Sequence, residues 1–307
     1  MTLALIAHAD CRRHNMGAGH PECPDRIDAI EDQLIASGLA PLLQRHEAPM
    51  ATDAELLRVH PQAYIDGIRD AAPASGVVHL DPDTAMSPGT LNAALRAAGA
   101  GVLATDLVMR GEADRAFCIV RPPGHHACRE RAMGFCFFNN IAVAARHALE
   151  AHGLKRVAIV DFDVHHGNGT EDIFSYDERV LMAGTFQHPF YPFSGTGMVA
   201  DNMANVPLRS GADGKLFREA FEQVCLPRLE AFRPQMIFIS AGFDAHAEDD
   251  MAMLRLVEAD YAWVTTQLRR IAEAHAGGRM VSMLEGGYAL SALGRSVVAH
   301  LKALDDL

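Results

Sequence analysis

The sequence predicts an α/β fold: a single three-layer α/β/α domain over residues 1–307 with a central, mostly parallel sheet. Short apolar runs alternate with longer helical segments along the whole chain, which is the pattern of parallel strands joined by crossover helices. Of the 307 residues 49% are hydrophobic, enough for a large buried core, and no linker, internal repeat or low-complexity tract divides them.

The strands are predicted from apolar runs, and the helices from the capping and turn residues at their ends. The apolar run at residues 3–7 is predicted as the first strand. It ends at His8 and Asp10, so it is too short for a signal peptide or a membrane helix. The other strands are predicted at 116–120, 156–161, 236–240 and 280–284. The helices are predicted at 25–37, 53–59, 62–71, 87–111, 140–152, 215–232, 258–276 and 290–304.

The strongest chemical signal is the segment 161–169, DFDVHHGNG, at the end of the third predicted strand. Alternate residues of an extended chain share a face, so Asp161, Asp163 and His165 point the same way. Carboxylate and imidazole groups in one cluster suit zinc or another divalent transition metal. The alternative is a solvated strand-to-helix turn in which the aspartates cap the helix.

Three other predicted strands end in similar residues beside glycines. His125 and His126 follow the second strand, Asp244 follows the fourth, and Tyr288 follows the fifth. Open α/β sheets place their sites at the carboxyl ends of the strands. Four such strand ends therefore predict one active site, which disfavours the interpretation of a simple turn.

The ordered motifs of the chain resemble the histone deacetylase superfamily. The resemblance covers residues 8 to 290 and is closest to the class II and bacterial histone deacetylase-like amidohydrolase branch. It implies an arginase/deacetylase-like fold and the hydrolysis of an amide. The motifs are HPECPDR (20–26), RPPGHHA (121–127), GFCFFNN (134–140), DFDVHHGNGT (161–170), SAGFDAH (240–246) and LEGGY (284–288).

The metal ligands can be argued from chemistry. Amide hydrolysis needs an activated water, a group that stabilises the oxyanion and an acid for the leaving amine. A metal with three protein ligands keeps an open position for this reaction. Asp163, His165 and Asp244 are the best three ligands, because two carboxylates balance the charge of the metal.

The catalytic roles follow from the resemblance. It implies that His126 is the general base and then the general acid, and that His125 gives electrostatic support. Asp161 would accept a hydrogen bond from His125, and Asn168 one from His126. A carboxylate partner raises the basicity of imidazole and an amide adds no charge, so the pKa values of the two histidines should differ. Tyr288 resembles the tyrosine that donates its hydroxyl to the oxyanion.

The resemblance also assigns substrate contacts. Gly134 and Phe135 belong to substrate binding, with Phe135 as one wall of a tunnel for an acyl-lysine stem. The opposite wall is Phe190 or Tyr191, where an insertion loosens the alignment. Asp83 matches a residue at the rim of the tunnel, although its surroundings also fit an ordinary turn with a helix cap.

Met251 aligns with the residue that guards the mouth of the pocket. Polyamine-selective relatives have a glutamate there, so an apolar residue favours an acyl-lysine or an uncharged small amide. The acidic residues 248–250 lie close by and weaken this inference.

Two cations are expected as cofactors. The catalytic metal is Zn²⁺, with Fe²⁺ as the alternative. The resemblance further implies a structural K⁺, bound in part by the backbone carbonyls of Asp161, Asp163 and His165. Gly184 stands where the family has a serine ligand, which puts the affinity for K⁺ in question.

Composition limits the partners and the compartment. The net charge of −12 argues against nucleic acid as the main partner, since phosphate binding requires a basic surface. No apolar run is long enough to cross a bilayer, so no membrane partner is expected. Six cysteines without a CxxC pair favour reduced thiols and a cytoplasmic protein. The oligomeric state stays open, with a homodimer or a homotetramer as alternatives.

The leading prediction is a metal-dependent deacetylase that removes acetyl or another short acyl group from a lysine-like amine of a peptide or protein. The main alternative is an acetylpolyamine amidohydrolase, which acts on an acetylated small amine. A metal-binding pseudoenzyme and an arginase-type ureohydrolase are weaker alternatives.

Eight other histidines belong to no motif and are expected in ordinary surface or core positions: His8, His46, His60, His79, His147, His152, His275 and His300.

Overall fold

A computed structural model describes residues 2–197 and 200–306, and its centre is an eight-stranded sheet. The strands are β1 (Leu3–Ala7), β2 (Gln44–Glu47), β5 (Arg115–Ile119), β6 (Val157–Asp161), β7 (Val180–Gln187), β8 (Met203–Leu208), β9 (Ile237–Ala241) and β10 (Met280–Leu284). Every neighbouring pair in this sheet is parallel, and the strand order is β2-β1-β5-β10-β9-β6-β7-β8. Two short strands, β3 (Val78–His79) and β4 (Ala85–Met86), pair antiparallel outside the sheet.

Helices cover both faces of the sheet, which confirms the predicted three-layer α/β/α fold. One layer contains α4 and α5, which pack on each other and on the central strands, and the other contains α1, α10, α9, α7 and α8. The helices are α1 (Asp25–Ala36), α2 (Asp53–Leu56), α3 (Gln62–Asp70), α4 (Thr90–Arg110), α5 (Asn140–Glu150), α6 (Asn168–Phe174), α7 (Gly214–Ala220), α8 (Leu226–Phe232), α9 (Glu258–His275) and α10 (Leu290–Asp305).

Covering both faces explains why the central strands have continuous apolar sequences. All residues of β5, β6, β9 and β10 are buried, because each strand contacts a helix layer on either side. These four strands are neighbours in the sheet, so the loops at their carboxyl ends lie side by side. Among the described residues, no helix is long and apolar enough to span a membrane.

Three strands of the sheet, β2, β7 and β8, are absent from the prediction. β2 is an edge strand made of four polar residues, so it has no apolar run to reveal it. β8 is the opposite edge strand and contains Pro207, which is tolerated at an edge but weakens a strand signal. β7 is fully buried, and its mostly apolar sequence was a signal from which this strand could have been predicted.

The helices differ from the prediction mainly at their ends. α4 begins at Thr90, after Gly89 with its positive φ of 96°, and not at 87. The predicted helix 215–232 is interrupted at Phe221–Cys225, where one π-helical turn joins α7 to α8. α6 starts at Asn168, inside the predicted metal motif at 161–169. This motif therefore follows a strand and ends in a helix.

Candidate active site

The predicted site residues meet at the carboxyl edge of the sheet. The loop after β5 carries His125 and His126, and the loop after β6 carries Asp163 and His165. Asp244 and Tyr288 follow β9 and β10. The four strands are adjacent, which is why residues up to 163 positions apart in sequence come together in one place.

Asp163, His165 and Asp244 form a buried cluster with the geometry of a metal site. Each offers one ligand atom, and these atoms lie within 4.8 Å of one another. His165 Nδ1 is 3.0 Å from Asp163 Oδ1 and 3.2 Å from Asp244 Oδ2. Ligands of tetrahedral zinc at about 2.0–2.2 Å are separated by roughly 3.3 Å, so the cluster needs little adjustment to bind an ion.

The electrostatics of this cluster also fit a cation. Asp244 Oδ2 is buried and faces the ring of His165, whose Nδ1 lies 3.2 Å away. Burial, followed by the nearby charge of Asp163, raises the pKa of Asp244 to about 6. Although burial opposes it, hydrogen bonds to Asp163 and Asp244 raise the pKa of His165 to about 10. A divalent cation would replace that proton and neutralise both carboxylates.

The second oxygens of the two carboxylates are held by the backbone. Gly286 N–H donates to Asp163 Oδ2 at 2.9 Å, and Val164 N–H donates to Asp244 Oδ1 at 2.9 Å. A Cβ on Gly286 would overlap both carboxylates, so only glycine brings its N–H this close. The ligands are therefore oriented before any ion binds.

The two adjacent histidines make the pairings that the sequence predicts. His125 Nδ1 lies 2.9 Å from Asp161 Oδ2, and His126 Nδ1 lies 2.7 Å from Asn168 Oδ1. The amide nitrogen of Asn168 donates weakly to the sulfurs of Cys128 and Met133, which turns its oxygen toward His126. His126 must then carry its proton on Nδ1, which leaves the lone pair of Nε2 free.

The partners shift the pKa values of the two histidines in opposite directions. Burial, followed by the neighbouring His125 and His165, lowers the pKa of His126 well below its ordinary value. Burial also disfavours the charge of His125, but Asp161, Asp163 and Glu285 outweigh it and raise the pKa of His125 well above the ordinary value. The two imidazoles therefore differ in basicity, and His125 is the stronger base.

A cavity of about 280 Å³ leads from the surface to these residues. Its lining includes every predicted substrate-binding residue, and Phe190 and Tyr191 both belong to it together with Phe135. Phe190 stacks on the ring of His165 at 5.5 Å, and the ring of Tyr191 meets that of His126 edge-on at 5.3 Å. The complete lining is Asp83, Pro123, His125, His126, Gly134, Phe135, His165, Phe190, Tyr191, Met251, Gly286 and Tyr288.

The wall at Gly134 and Phe135 depends on an unusual backbone. Both residues have positive φ, 57° and 67°, and a Cβ on Gly134 would overlap the ring of His126. In this strained conformation the ring of Phe135 lines the cavity, and its centroid lies 4.8 Å from that of His20. Asp83 Oδ1 accepts the Gly134 N–H at 3.1 Å, so the rim residue also holds the wall.

Tyr288 is positioned by two charged residues that the sequence analysis does not assign. Asp249 accepts the backbone N–H groups of Tyr288 and Ala289 at 2.6 and 3.0 Å. The guanidinium of Arg26 lies 4.9 Å from the ring centroid of Tyr288. Burial raises the pKa of Tyr288 well above its ordinary value, so its hydroxyl keeps its proton.

A buried network behind the site was also missed. Glu22 forms ion pairs with Arg121 and Arg26, and Arg26 donates to the carbonyls of Gly287 and Glu285 at 2.6 and 2.5 Å. Glu285 in turn accepts the backbone N–H groups of Gly124 and His125 at 2.7 and 3.2 Å. The available signal was the presence of these charged residues inside the motifs HPECPDR, RPPGHHA and LEGGY.

Comparisons with known proteins agree with this geometry. A family model described as "Histone deacetylase domain" matches residues 20–304. The chain is 42% identical to the histone deacetylase-like amidohydrolase of Pseudomonas aeruginosa, over 88% of this chain and 73% of the relative. It is 34% identical to a probable deacetylase of Archaeoglobus fulgidus, over 94% of this chain and 82% of the relative.

A solved structure shows the same fold. The crystal structure of the HDA15 HD domain superposes with a TM-score of 0.92 and 34% identity, covering 99% of this chain and 89% of that chain. The chain therefore belongs to the histone deacetylase family and is a hydrolase that acts on amide bonds.

Proposed function

We propose that this protein is a zinc-dependent deacylase that removes acetyl or another short acyl group from a lysine-like amine. The observation that carries the proposal is the convergence of Asp163, His165 and Asp244 with the paired histidines at the base of one cavity. Two carboxylates and an imidazole suit Zn²⁺, with Fe²⁺ as the alternative. When bound, the cation supplies a Lewis acid for the amide carbonyl and the attacking water.

His126 is the proposed general base. Its Nδ1–H donates to Asn168, and its lowered pKa keeps the ring neutral, so Nε2 can take a proton from the attacking water. The same nitrogen then returns that proton to the leaving amine. An amide partner suits this cycle, because Asn168 orients the ring without adding a charge that would hold the proton there.

His125 is the proposed electrostatic partner. The Asp161 carboxylate and the other nearby acids raise its pKa, so the ring stays protonated and does not compete for the proton of the water. The Tyr288 hydroxyl is the proposed donor to the oxyanion. Burial keeps that hydroxyl protonated, and the supports at Asp249 and Arg26 fix the tyrosine in advance of the reaction.

The cavity favours an acyl-lysine substrate. Its aromatic walls, Phe135 and Tyr191, match the four-carbon stem of lysine, and Asp83 at the rim can accept a backbone N–H of a peptide. Two of the acidic residues at positions 248–250, next to Met251, already make contacts with other parts of the chain. Asp249 holds the Tyr288 loop, and Glu248 pairs with Arg295 at 2.6 Å. Met251 itself contributes an apolar side chain to the cavity lining, which is a poorer contact for a second cationic amine than a carboxylate would be.

A structural K⁺ site near the catalytic metal is also part of the proposal. We place a structural K⁺ at the backbone carbonyls of Asp161, Asp163 and His165. Gly184 lies opposite Asp161 in the β6–β7 register, and a Cβ there would overlap the Asp161 carbonyl oxygen. The close packing against Asp161 therefore accounts for glycine at this position, where the family has a serine ligand.

We further propose that residues 1–307 act as one catalytic domain in the cytoplasm.

The test compares kcat/KM for an acetyl-lysine peptide and for acetylated polyamines on zinc-loaded protein. We expect a clear preference for the peptide and no turnover in Asp163→Ala. Met251→Glu is the matched variant, and it should move the preference toward the polyamines. A wild-type preference for polyamines would overturn the assignment of substrate class, and turnover in Asp163→Ala would overturn the metal ligands.

A further inference from the structure

A second cluster of metal-binding side chains lies outside the active site. Asp106 is on α4, His147 is on α5, and His152 follows the end of α5. His147 Nε2 and His152 Nε2 lie 2.8 and 2.6 Å from the same carboxylate oxygen, Asp106 Oδ1. Their rings meet edge-on with centroids 5.3 Å apart.

The topology places this cluster at the edge of the sheet opposite the catalytic residues. α4 ends at Arg110 and leads into the start of β5, and α5 ends at Glu150 and leads into the start of β6. Asp106 and His147 belong to the last turns of these helices. The catalytic loops lie at the other ends of the same strands, so the cluster has no part in the proposed reaction.

We propose that Asp106, His147 and His152 form a second metal site, for Zn²⁺ or another divalent transition metal. Two imidazole nitrogens and one carboxylate oxygen are the ligands that such ions prefer. The three side chains are 21%, 9% and 20% exposed, so an ion can enter and water can complete its coordination. The two histidine nitrogens need to move away from the carboxylate oxygen by about 0.5–0.7 Å to reach the spacing of a tetrahedral site.

A neighbouring charge orients the carboxylate of Asp106. Arg110 pairs with the other oxygen, Oδ2, at 3.1 Å, so the carboxylate is held with Oδ1 toward the histidines. Without metal, both rings donate an Nε2–H to that oxygen. Binding requires each ring to carry its proton on Nδ1 instead, which frees both Nε2 lone pairs.

Arg58 competes with metal binding. Its Nη1 lies 2.7 Å from His147 Nδ1 and can only donate, so it favours the tautomer with the proton on Nε2. When the ring changes tautomer, Arg58 must move. Glu150 is the available acceptor, since its Oε2 is already 3.6 Å from Arg58 Nε. Removal of this arginine should therefore strengthen metal binding.

Zinc stoichiometry after equilibrium dialysis, measured by elemental analysis on the full chain, tests the proposal. Wild type should bind two Zn²⁺ per chain, Asp163→Ala one, and His152→Gln one with wild-type deacetylase activity. The double variant should bind none. A wild-type stoichiometry of one, or two in His152→Gln, would overturn the site.

Arg58→Ala is the matched variant for the tautomer argument. In the Asp163→Ala background, where the catalytic ligands are incomplete, it should lower the Kd for Zn²⁺ compared with the same background carrying Arg58. His147→Gln in that background should abolish binding. An unchanged or weaker affinity in Arg58→Ala would overturn binding through His147 Nε2.

Discussion

Replacing Tyr288 by phenylalanine isolates the proposed oxyanion donor. The substitution removes one hydroxyl and keeps the ring, which packs against Arg26 at 4.9 Å and meets Phe135 edge-on at 6.2 Å. The backbone N–H of residue 288 still donates to Asp249. The loop should therefore keep its position, so that a loss of activity reports on the hydroxyl alone.

The expected loss is about 10²–10³-fold in kcat, equivalent to about 2.7–4 kcal/mol of transition-state stabilisation. Tyr288 lines the cavity and its hydroxyl stays protonated, because burial of the group raises its pKa, and phenylalanine has no donor to replace that hydroxyl. The negative charge on the oxygen develops only during the reaction. KM should therefore stay close to the wild-type value, and the loss should appear in kcat.

The assay is steady-state hydrolysis of an acetyl-lysine peptide by zinc-loaded protein, with the bound zinc measured in parallel. Tyr191→Phe is the control, because the Tyr191 hydroxyl is buried in the same cavity and makes no hydrogen bond to any residue that the structure describes. The control should retain its kcat. Wild-type kcat in Tyr288→Phe, or an equal loss in both variants, would refute the role of Tyr288.

Three other predictions address the metal, the base and the core. Gly286→Ala should greatly weaken zinc binding, because the new methyl overlaps Asp163 and Asp244; full zinc content by elemental analysis would contradict this. His126→Ala should reduce kcat by at least about 10²-fold with its zinc retained, and normal turnover in the same peptide assay would rule out its role as base. Burial lowers the pKa of His300 to about 3, so its stabilisation is complete above the ordinary value of 6.5 and is lost as the pH falls toward 3. At pH 5 the loss is about 2 kcal/mol, from about 1.4 kcal/mol per pH unit. Urea unfolding at pH 7 and pH 5 should show a smaller loss in His300→Gln, and an equal loss would contradict the assignment.

The sequence was sufficient for the central strands and for the residues that meet in the cavity. Both depend on local signals: an apolar run predicts a buried strand, and polar residues beside glycine mark its end. β2 could not be found in this way, because its four polar residues are held by pairing with β1 and not by burial.

The residues that support the site were harder to predict, because their contacts join distant parts of the chain. Arg26 reaches the carbonyl of Gly287, 261 positions away, and Asp249 reaches the backbone of Tyr288. No spacing in the chain encodes such contacts, since they depend on how the helices dock. Asp249 in particular resembles an acidic loop residue until the fold shows that it is buried.

The carboxylate of Asp249 has a consequence for how this enzyme could change its substrate. One oxygen accepts the N–H of Met251, at the mouth of the cavity, and the other accepts the N–H of Tyr288, at its base. A larger or charged residue at the mouth that displaces the backbone would pull on the same carboxylate. Under the proposed roles of Met251 and Tyr288, substrate range and catalytic rate are coupled through this carboxylate. A lineage that acquires a new substrate through Met251 would be expected to need a compensating change around Asp249 before its turnover recovers.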